Sequence, residues 1–579
     1  MLNPSGGPGS VLHRADEVVQ RHPWWAFTAA YLLLAGLLIG VNLDTVPLRR
    51  FDGAYYATEA REVYRGNGRL TKHILPIQLL KDPEHRPPLR ITTYTNKPLF
   101  PWLMAVAFHL FGATDHVAMW TCFFFYLACG PLLFYFVKGR WGFWPGLLAV
   151  FILLLSPSMI DASTAGWTDM LFTTLVLSAT FMVILLPPRL LWTSGLVMAG
   201  LCLCRPNGLV IAAVLSLVVF FRVVRLRQWS LVRRWGHLAL CALPLLLSLA
   251  FLFHFNYQHY GSPLRFYDSN GWERLEMTNL LPNPKKFNGY CFYYTLPPGI
   301  MDRYWADPSI ALGQFKRKVK KTLLLLKDAL LVNPLKLLFI VLGLLWIPRW
   351  RRDRTFRSLG LITGACLVLQ YLAAYSQLPF ARLYTWMLPC LAVMTSLAVC
   401  DLWSLWGRAR RRWPRAATLL RACLVLALVG SVAWGAVAEG YRLGVRNSYL
   451  KKFRALNVIR GQMLKKYTDK DSLVIVNYHE SWLAWFGDRH FTRVPFRLTD
   501  FLGVVKKINT PYYYLMGIIR TNRKRGLARA RCPESFYPQI ASYAKLVTIK
   551  KTPMYYVALF RLDMKRLRRD FAQQIAALP

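Results

Sequence analysis

Residues 51–64 read FDGAYYATEAREVY, and they follow closely on the first long apolar run of the chain. Asp52 therefore stands where the chain leaves the hydrocarbon of a bilayer and meets water. The residues behind it, including Tyr55, Tyr56 and Arg61, form an amphipathic pattern typical of a helix that lies along an interface. Aspartate is also a favoured N-cap. The residue type alone thus fits either a helix cap or a chemical role.

Outward from this stretch, the composition indicates a membrane protein with many spans. Of the 579 residues, 55% are hydrophobic and only 17% are charged, whereas a soluble chain carries charge on about a quarter of its residues. About eleven apolar runs approach the roughly 20 residues that cross a bilayer. These predicted spans are 24–44, 115–137, 142–156, 169–186, 190–204, 207–221, 236–256, 329–348, 357–376, 383–406 and 416–438. A further apolar run, 98–112, is broken by Pro101 and is expected to lie at the interface.

The positions of the arginines orient these spans. With Met1 in the cytoplasm, the positive-inside rule is satisfied by the arginine-containing short loops at 138–141, 187–189, 222–235, 349–357 and 407–415. The formal charge of +45 is therefore attributed to topology and to anionic membrane lipids as partners, and not to nucleic acid. No small-residue cleavage site follows the run 24–44, so we expect a retained span and not a signal peptide.

The opposite face receives the first loop (45–114), the long loop 257–328 and the tail. In the tail, 449–467 has a helical pattern, whereas 472–477 and 555–561 are typical of strands. These patterns predict a transmembrane domain at 1–444 and a soluble α/β domain at 445–579.

One short motif in the tail invites a metal-binding interpretation. Asp469-Lys470-Asp471 has the form of the DxD signature of many sugar transferases. It lies between a helical pattern and a strand pattern, where acidic turn residues are ordinary. We interpret it as a turn.

Five charged residues are predicted to meet on the non-cytoplasmic face, each beside an apolar segment: Asp52, Lys97, Asp169, Arg205 and Arg382. Charges at membrane depth are costly and normally face a cavity or a partner. The arginines and the lysine could instead snorkel at helix ends, and Asp169 could cap a helix. Five independent structural roles on one face are less expected than one shared site.

The motifs around these residues resemble a known group of enzymes. Asp52 with its Arg61-Glu62 helix, followed by Lys97 before PLFPWLMAVAFHLFG (98–112), is similar to the lipid-phosphate-sugar-dependent glycosyltransferases of the GT-C fold. Aminoarabinose–lipid A transferases and protein O-mannosyltransferases are the nearest in layout, which matches over the whole chain. Asp169 resembles their second acidic position. ARLYTWMLP (381–389) resembles their late Arg/Lys-Tyr-Leu-Pro segment, and FNYQHYGSP (255–263) resembles the asparagine-aromatic-Gly-Ser-Pro motif of wider bacterial members.

The chain also departs from that family. Asn96 stands where an acidic residue usually precedes Lys-Pro, Leu99 replaces a second proline, and Tyr55 or Tyr56 replaces an arginine that often follows the first aspartate. The metal ligands are therefore left unknown, a divalent cation is only a candidate cofactor, and the acceptor of the relatives is not carried over.

The residues fit glycosyl transfer on chemical grounds as well. An acceptor hydroxyl that attacks the anomeric carbon of a polyprenyl-phosphate sugar needs a base, and Asp52 is the candidate, with Asp169 as a second catalytic carboxylate. The leaving lipid phosphate needs cations, for which Lys97, Arg205 and Arg382 are candidates. A single base without a covalent intermediate implies inversion. Aromatic side chains suit sugar stacking, and those expected to bind substrate are Tyr55, Tyr56 and Tyr384.

The expected protein is thus a multi-pass enzyme of the inner (cell) membrane with a periplasmic catalytic face. Its partners would be a polyprenyl-phosphate sugar donor and a lipid, glycan or protein acceptor. Two alternatives remain: a transporter or flippase of a lipid-linked sugar, and a non-catalytic subunit of a glycan-assembly complex. No inverted repeat of the kind common in transporters is visible, and the large soluble tail favours an enzyme.

Overall fold

The computed structural model describes residues 21–42, 46–48, 51–74, 97–260, 316, 319, 341–373, 385–409, 413–476, 480–493, 498–519, 540, 542–552 and 555–578. Arg382 and Tyr384, most of the 257–328 loop and most of the predicted span 329–348 lie outside these residues, so the expectations for them stay predictions.

The described residues before the tail are mainly helical. In chain order its helices are α1 (Pro23–Asn42), α2 (Phe51–Tyr64), α3 (Leu99–Phe111), α4 (Asp115–Trp141), α5 (Phe143–Leu154), α6 (Pro157–Ser163), α7 (Asp169–Leu185), α8 (Thr193–Cys204), α9 (Asn207–Val224), α10 (Leu231–Tyr260), α11 (Ile347–Arg352), α12 (Arg354–Ala373), α13 (Leu388–Ala409) and α14 (Pro414–Tyr467).

Within the described residues, five helical segments are long and apolar enough to cross a membrane. They are Pro23–Gly40, Asp115–Trp141, Asn207–Val224, Leu231–Gln258 and Thr385–Trp406. The pair α5 and α6 would be a sixth span, bent by 62°. Helices α3, α7 and α8 are apolar but shorter. The protein is therefore helical and membrane-embedded, and the count of about eleven spans stays a prediction.

Prolines decide where two of the predicted spans end. Ser156 and Arg205 each precede a proline and adopt extended backbone, with ψ of 124° and 146° respectively. A proline ring clashes with an α-helical residue before it. The run 142–156 therefore bends into α6, and the runs 190–204 and 207–221 meet at a corner that holds Arg205.

Within the described residues, the tail contributes five strands of a six-stranded sheet. They are β2 (Leu473–Val476), β3 (His490–Arg493), β4 (Tyr512–Ile519), β5 (Ala544–Lys551) and β6 (Tyr555–Leu562), and the helices of the tail are α15 (Glu480–Gly487), α16 (Leu498–Lys507), α17 (Met564–Asp570) and α18 (Ala572–Ala576). The strands predicted at 472–477 and 555–561 are confirmed as β2 and β6.

The remaining strand comes from the first loop. β1 (His73–Ile74) pairs in parallel with β3, and the spatial order is β1-β3-β2-β4-β6-β5. β1 to β4 are parallel, whereas β6 is antiparallel to both β4 and β5. A segment more than 400 residues upstream of β3 thus completes the edge of the sheet.

Both faces of the sheet are buried at its strand β2. Leu473 and Ile475 of β2 pack into one cluster with residues of α16 and α17, whereas Val474 and Val476 pack into another with α14 and α15. Successive strand residues point to opposite faces, so a strand without polar positions requires cover on both sides.

Helix α14 is continuous over 54 residues, which is about 80 Å of helix. It joins the predicted span 416–438 to the predicted helix 449–467 without a break. The predicted domain boundary at 444/445 falls inside it, because no proline interrupts the helical pattern between Pro414 and the tail.

Polar side-chain contacts at and near the two ends of α4 show which segments share a face. At its start, Asp115 binds Arg454 of α14, 2.6 Å from Nη2. At its end, the indole of Trp141 donates to Asp353 at 2.5 Å, and Arg349 binds Asp401 through Nε and Nη2, both at 2.7 Å. The first loop and tail therefore lie at one end of the bundle, and the arginine-rich loops 138–141 and 349–357 lie together at the other.

Candidate functional site

The helix that carries Asp52 makes a close backbone contact with the turn that carries Asp169. A Cβ placed on Gly53 would lie 2.2 Å from the carbonyl oxygen of Ala165, and Gly166 has a left-handed φ of +72° with the Cα of Gly53 only 3.3 Å from its own Cβ position. Only glycine allows both the approach and this backbone conformation at low cost. The start of α2 is therefore adjacent to the start of α7.

Asp169 is bound by Arg205. Nη1 of Arg205 lies 2.6 Å from Oδ1 of Asp169, and both side chains are almost fully buried. The guanidinium also lies over the ring of Phe172, 5.4 Å from its centroid. Arg205 reaches this position because Pro206 forces the corner between α8 and α9. It does not extend to the interface as a snorkelling arginine would.

Lys97 lies in the same neighbourhood. Two residues later, Cδ2 of Leu99 lies 3.6 Å from the Cβ position at Gly200 of α8, the helix that leads to Arg205. Phe100, one turn further along α3, packs edge-on against Tyr56 of α2 with ring centroids 5.9 Å apart. Lys97 and Asp52 are both partly exposed, in contrast to the buried Asp169–Arg205 pair.

The structure thus brings together four of the predicted charged elements, those of Asp52, Lys97, Asp169 and Arg205, which we call the transfer corner. Tyr55 and Tyr56 are buried, at 3% and 6% exposure, and pack with each other and with α3. The two remaining predicted residues, Arg382 and Tyr384, are outside the described residues.

The second half of α2 contacts the tail, which the sequence did not predict. Nη1 of Arg61 donates to the carbonyl of Trp485 at 2.7 Å, and Nη2 donates to Ala484 and to Asp488, both at 3.0 Å. Its guanidinium also lies 4.7 Å from the ring centroid of Trp485. Burial lowers the pKa of Arg61 to about 10, so this arginine stays charged at neutral pH.

Asp488 binds two further cations of the first loop. Arg65 holds it through two oxygens at 2.9 and 3.0 Å, and Nζ of Lys72 lies 2.6 Å from Oδ1. Burial alone would raise the pKa of Asp488, but the hydrogen bond from Arg65 and the charges of Arg61 and Lys72 hold it well below its usual value. Asp488 is therefore a carboxylate at any physiological pH.

The FNYQHYGSP motif also meets the first loop. Arg69 binds Glu59 of α2 at 2.9 Å and lies over the ring of Phe255, 4.9 Å from its centroid. Asn256 is fully buried. The end of α10 thus supports α2 from a third side.

A metal site finds no support in the described residues, which contain no cluster of three His, Cys, Asp or Glu side chains able to hold an ion. The two acidic residues of the DxD motif, Asp469 and Asp471, belong to a turn in which both the amide and the hydroxyl of Ser472 donate to the carbonyl of Asp469. The turn interpretation of Asp469-Lys470-Asp471 is confirmed.

Comparison with known proteins adds information on the fold. No protein-family model and no curated protein sequence matches the chain. ArnT from Cupriavidus metallidurans, in a crystal structure with undecaprenyl phosphate bound, is similar with a TM-score of 0.54 over 92% of this chain and 98% of that chain, at 14% identity. The apo structure of the same ArnT gives 0.54 at 13% identity over the same shares. The Archaeoglobus fulgidus oligosaccharyltransferase AglB, in complex with an inhibitory peptide and a dolichol-phosphate, gives a TM-score of 0.49 at 12% identity. This match covers 93% of this chain and 74% of that chain. The polypeptide has a GT-C-like fold.

Proposed function

We propose that the protein is an integral-membrane glycosyltransferase. It moves a hexosyl or pentosyl group from a polyprenyl-phosphate donor to a hydroxyl or phosphate of a lipid, glycan or protein acceptor. The reaction takes place at the transfer corner, on the periplasmic face of the inner membrane.

The observation that carries this proposal is the contact between Gly53 and Ala165. It brings the carboxylate-bearing start of α2 to the buried Asp169–Arg205 pair, with Lys97 close by. Carboxylates beside cations at a membrane surface are what transfer from an anionic lipid carrier requires, because one group accepts a proton while the others stabilise a leaving phosphate.

The proposed reaction is a single displacement. Asp52, which is partly exposed, accepts the proton of the acceptor as the acceptor oxygen attacks the anomeric carbon. The bond to the lipid phosphate breaks on the opposite side, so the configuration inverts. Lys97 and Arg205 stabilise the phosphate through charge-assisted hydrogen bonds. Asp169 holds Arg205 in place through the ion pair between its Oδ1 and Nη1 of the arginine.

The lipid carrier is proposed from the fold. The ArnT structure that is similar over nearly the whole chain contains undecaprenyl phosphate, and a polyprenyl tail suits the lateral access that a helical bundle offers. The orientation is supported by the two ends of α4. The arginine-rich loops lie at the end opposite the transfer corner, as expected for a cytoplasmic face.

The test is transfer by the purified full chain. Undecaprenyl-phosphate-linked hexoses and pentoses are incubated with an extract of the cell envelope, and release of free undecaprenyl phosphate is measured. Asp52→Asn keeps the shape and capping ability of the residue but removes the proton acceptor, so we expect release to fall by about 10²-fold or more.

The matched control is Asp115→Asn. Asp115 is also an aspartate in the first turn of a helix on the same face, and its loss should lower the melting temperature without slowing release per folded molecule. Normal release by Asp52→Asn would overturn its role as base. Movement of the intact lipid-linked sugar across a vesicle membrane, without release, would favour a flippase instead.

A further inference from the structure

The tail contacts the helix that carries Asp52 near both ends, and this inference rests on the proposed function of that aspartate. Before α2, the indole of Trp482 donates to the carbonyl of Leu48 at 2.7 Å. Near the far end, Arg61 donates to the carbonyls of Ala484 and Trp485. Trp482, Ala484 and Trp485 all belong to α15. One short helix of the tail therefore holds both the entry to α2 and its last turn.

Among the described residues, the shortest contact between the tail and the first loop belongs to a cluster of charged residues. We call this cluster the Asp488 latch; it consists of Asp488, Arg61, Arg65 and Lys72. Three cations share one carboxylate at distances of 2.6 to 3.0 Å. The side chain of Asp488 is only 17% exposed, so these charge-assisted bonds are poorly screened by solvent. Lys72 leads into β1, which adds a backbone pairing with β3 to the same junction.

The backbone conformation of Asp488 decides which substitutions can test its side chain. Asp488 follows α15 directly and has a left-handed φ of 50°, a conformation that glycine adopts at helix ends without cost. Most side chains cost about 1–2 kcal/mol in this region, and aspartate and asparagine tolerate it better than the others. Asparagine and glycine can therefore replace Asp488 without added backbone strain, so that a defect in either variant reports the loss of the carboxylate.

The latch is too far from the transfer corner to touch the reacting atoms. Arg61 follows Asp52 by nine residues on a continuous helix, a separation of about 13 Å along the axis. Helix α2 is held against the turn 164–168 at its start and by the latch at its end. A helix fixed at two points keeps the position of every side chain between them.

We propose that Asp488 is a positioning residue for glycosyl transfer: by binding Arg61, Arg65 and Lys72 it fixes α2, and with it the position of Asp52. The tail then contributes to transfer by positioning Asp52, although it does not contact the reacting atoms. A base must lie within hydrogen-bond reach of the proton it accepts, and small displacements of such groups reduce rates strongly.

Two variants separate the carboxylate from the backbone. Asp488→Asn keeps the tolerance for a left-handed φ, and Asp488→Gly improves it, but both remove the charge. We expect each to raise amide hydrogen exchange in residues 51–64 of the full-length protein by about 10-fold or more, since a charge-assisted bond network is lost. Release of undecaprenyl phosphate should fall by a similar factor, with unchanged affinity for added undecaprenyl phosphate. Asp115→Asn, which breaks an equally short ion pair of α14, should leave exchange in α2 unchanged.

A double-mutant cycle identifies the route of the effect. If the latch acts through Asp52, Asp488→Asn should cost nothing further in an Asp52→Asn background. Three results would each overturn the proposal. One is unchanged hydrogen exchange in residues 51–64, and another is normal release by Asp488→Gly. The third is a double variant in which the two losses of release rate are fully additive. A wild-type chain that releases no undecaprenyl phosphate, while Asp488→Asn still raises exchange in α2, would refute the proposed function but support the coupling of Asp488 to α2.

Discussion

At the scale of single residues, charge beside an apolar run led to two residues that the structure pairs, Asp169 and Arg205. Asp169 and Arg205 were predicted because charges at membrane depth need partners, and they are each other's partner at 2.6 Å. The pairing itself was not predictable, because the two residues are 36 positions apart and meet only through the packing of α7 against α8.

Asp488 was missed for a related reason. Within Phe486-Gly487-Asp488 it has the local pattern of an ordinary turn after a helix, and its three cations lie more than 400 residues upstream. A signal did exist in its partners. Arg61 and Arg65 are four residues apart, a spacing that places like charges side by side on a helix and is destabilising unless an anion meets them.

The cations of the transfer corner can be tested one by one. If Lys97 and Arg205 bind the leaving phosphate as proposed, replacing either by Ala removes a charge-assisted bond to it, and transition-state stabilisation should drop by about 2–4 kcal/mol. Arg205→Lys keeps the charge but loses the fork of donors and should give an intermediate defect. The measurements are affinity for undecaprenyl phosphate and the rate of its release.

The control for these variants is Arg454→Ala, which removes a cation of the same face that binds Asp115 and lies outside the corner. It should lower the melting temperature and leave affinity unchanged. If both Lys97→Ala and Arg205→Ala have wild-type affinity and rate, then these two residues do not bind the leaving phosphate.

At the scale of elements, the predicted helices and strands followed from apolar periodicity, and the breaks followed from proline. The exceptions have physical causes. The two residues of β1 are too few for any strand pattern, so the edge of the sheet could not be foreseen. Helix α14 is continuous through the predicted boundary because amphipathic and apolar helical patterns join there without a breaker.

The contact between α2 and the turn 164–168 makes a prediction about Gly53. In Gly53→Ala the new Cβ would lie 2.2 Å from the carbonyl oxygen of Ala165, so α2 must move away from Asp169. Overpacking of this kind costs about 1–3 kcal/mol. We expect a lower melting temperature and at least about 10-fold slower release of undecaprenyl phosphate.

Gly36→Ala is the matched control, because nothing lies within 4 Å of the Cβ position at Gly36 in α1. Alanine is the better helix former, so this variant should be as stable as the wild type or more so, with normal release. Equal behaviour of Gly53→Ala and Gly36→Ala would mean that the close contact does not position Asp52.

At the scale of the whole molecule, composition predicted the membrane class, because hydropathy is summed over hundreds of residues and tolerates local error. Composition could not predict that the first loop and the tail contact each other. These two segments lie at opposite ends of the chain, yet they share one sheet and the Asp488 latch. The tail and transfer corner therefore form one assembly at the end of the bundle opposite the arginine-rich loops.

The most direct test of the proposed transfer corner is an experimental structure of the full chain with undecaprenyl phosphate bound. The phosphate is expected within hydrogen-bond distance of Lys97 or Arg205, with its non-ester oxygens on the side of Asp52 and its tail between the helices. A phosphate bound at the opposite end of α4, near Arg349 and Asp401, would contradict the assignment of the transfer corner.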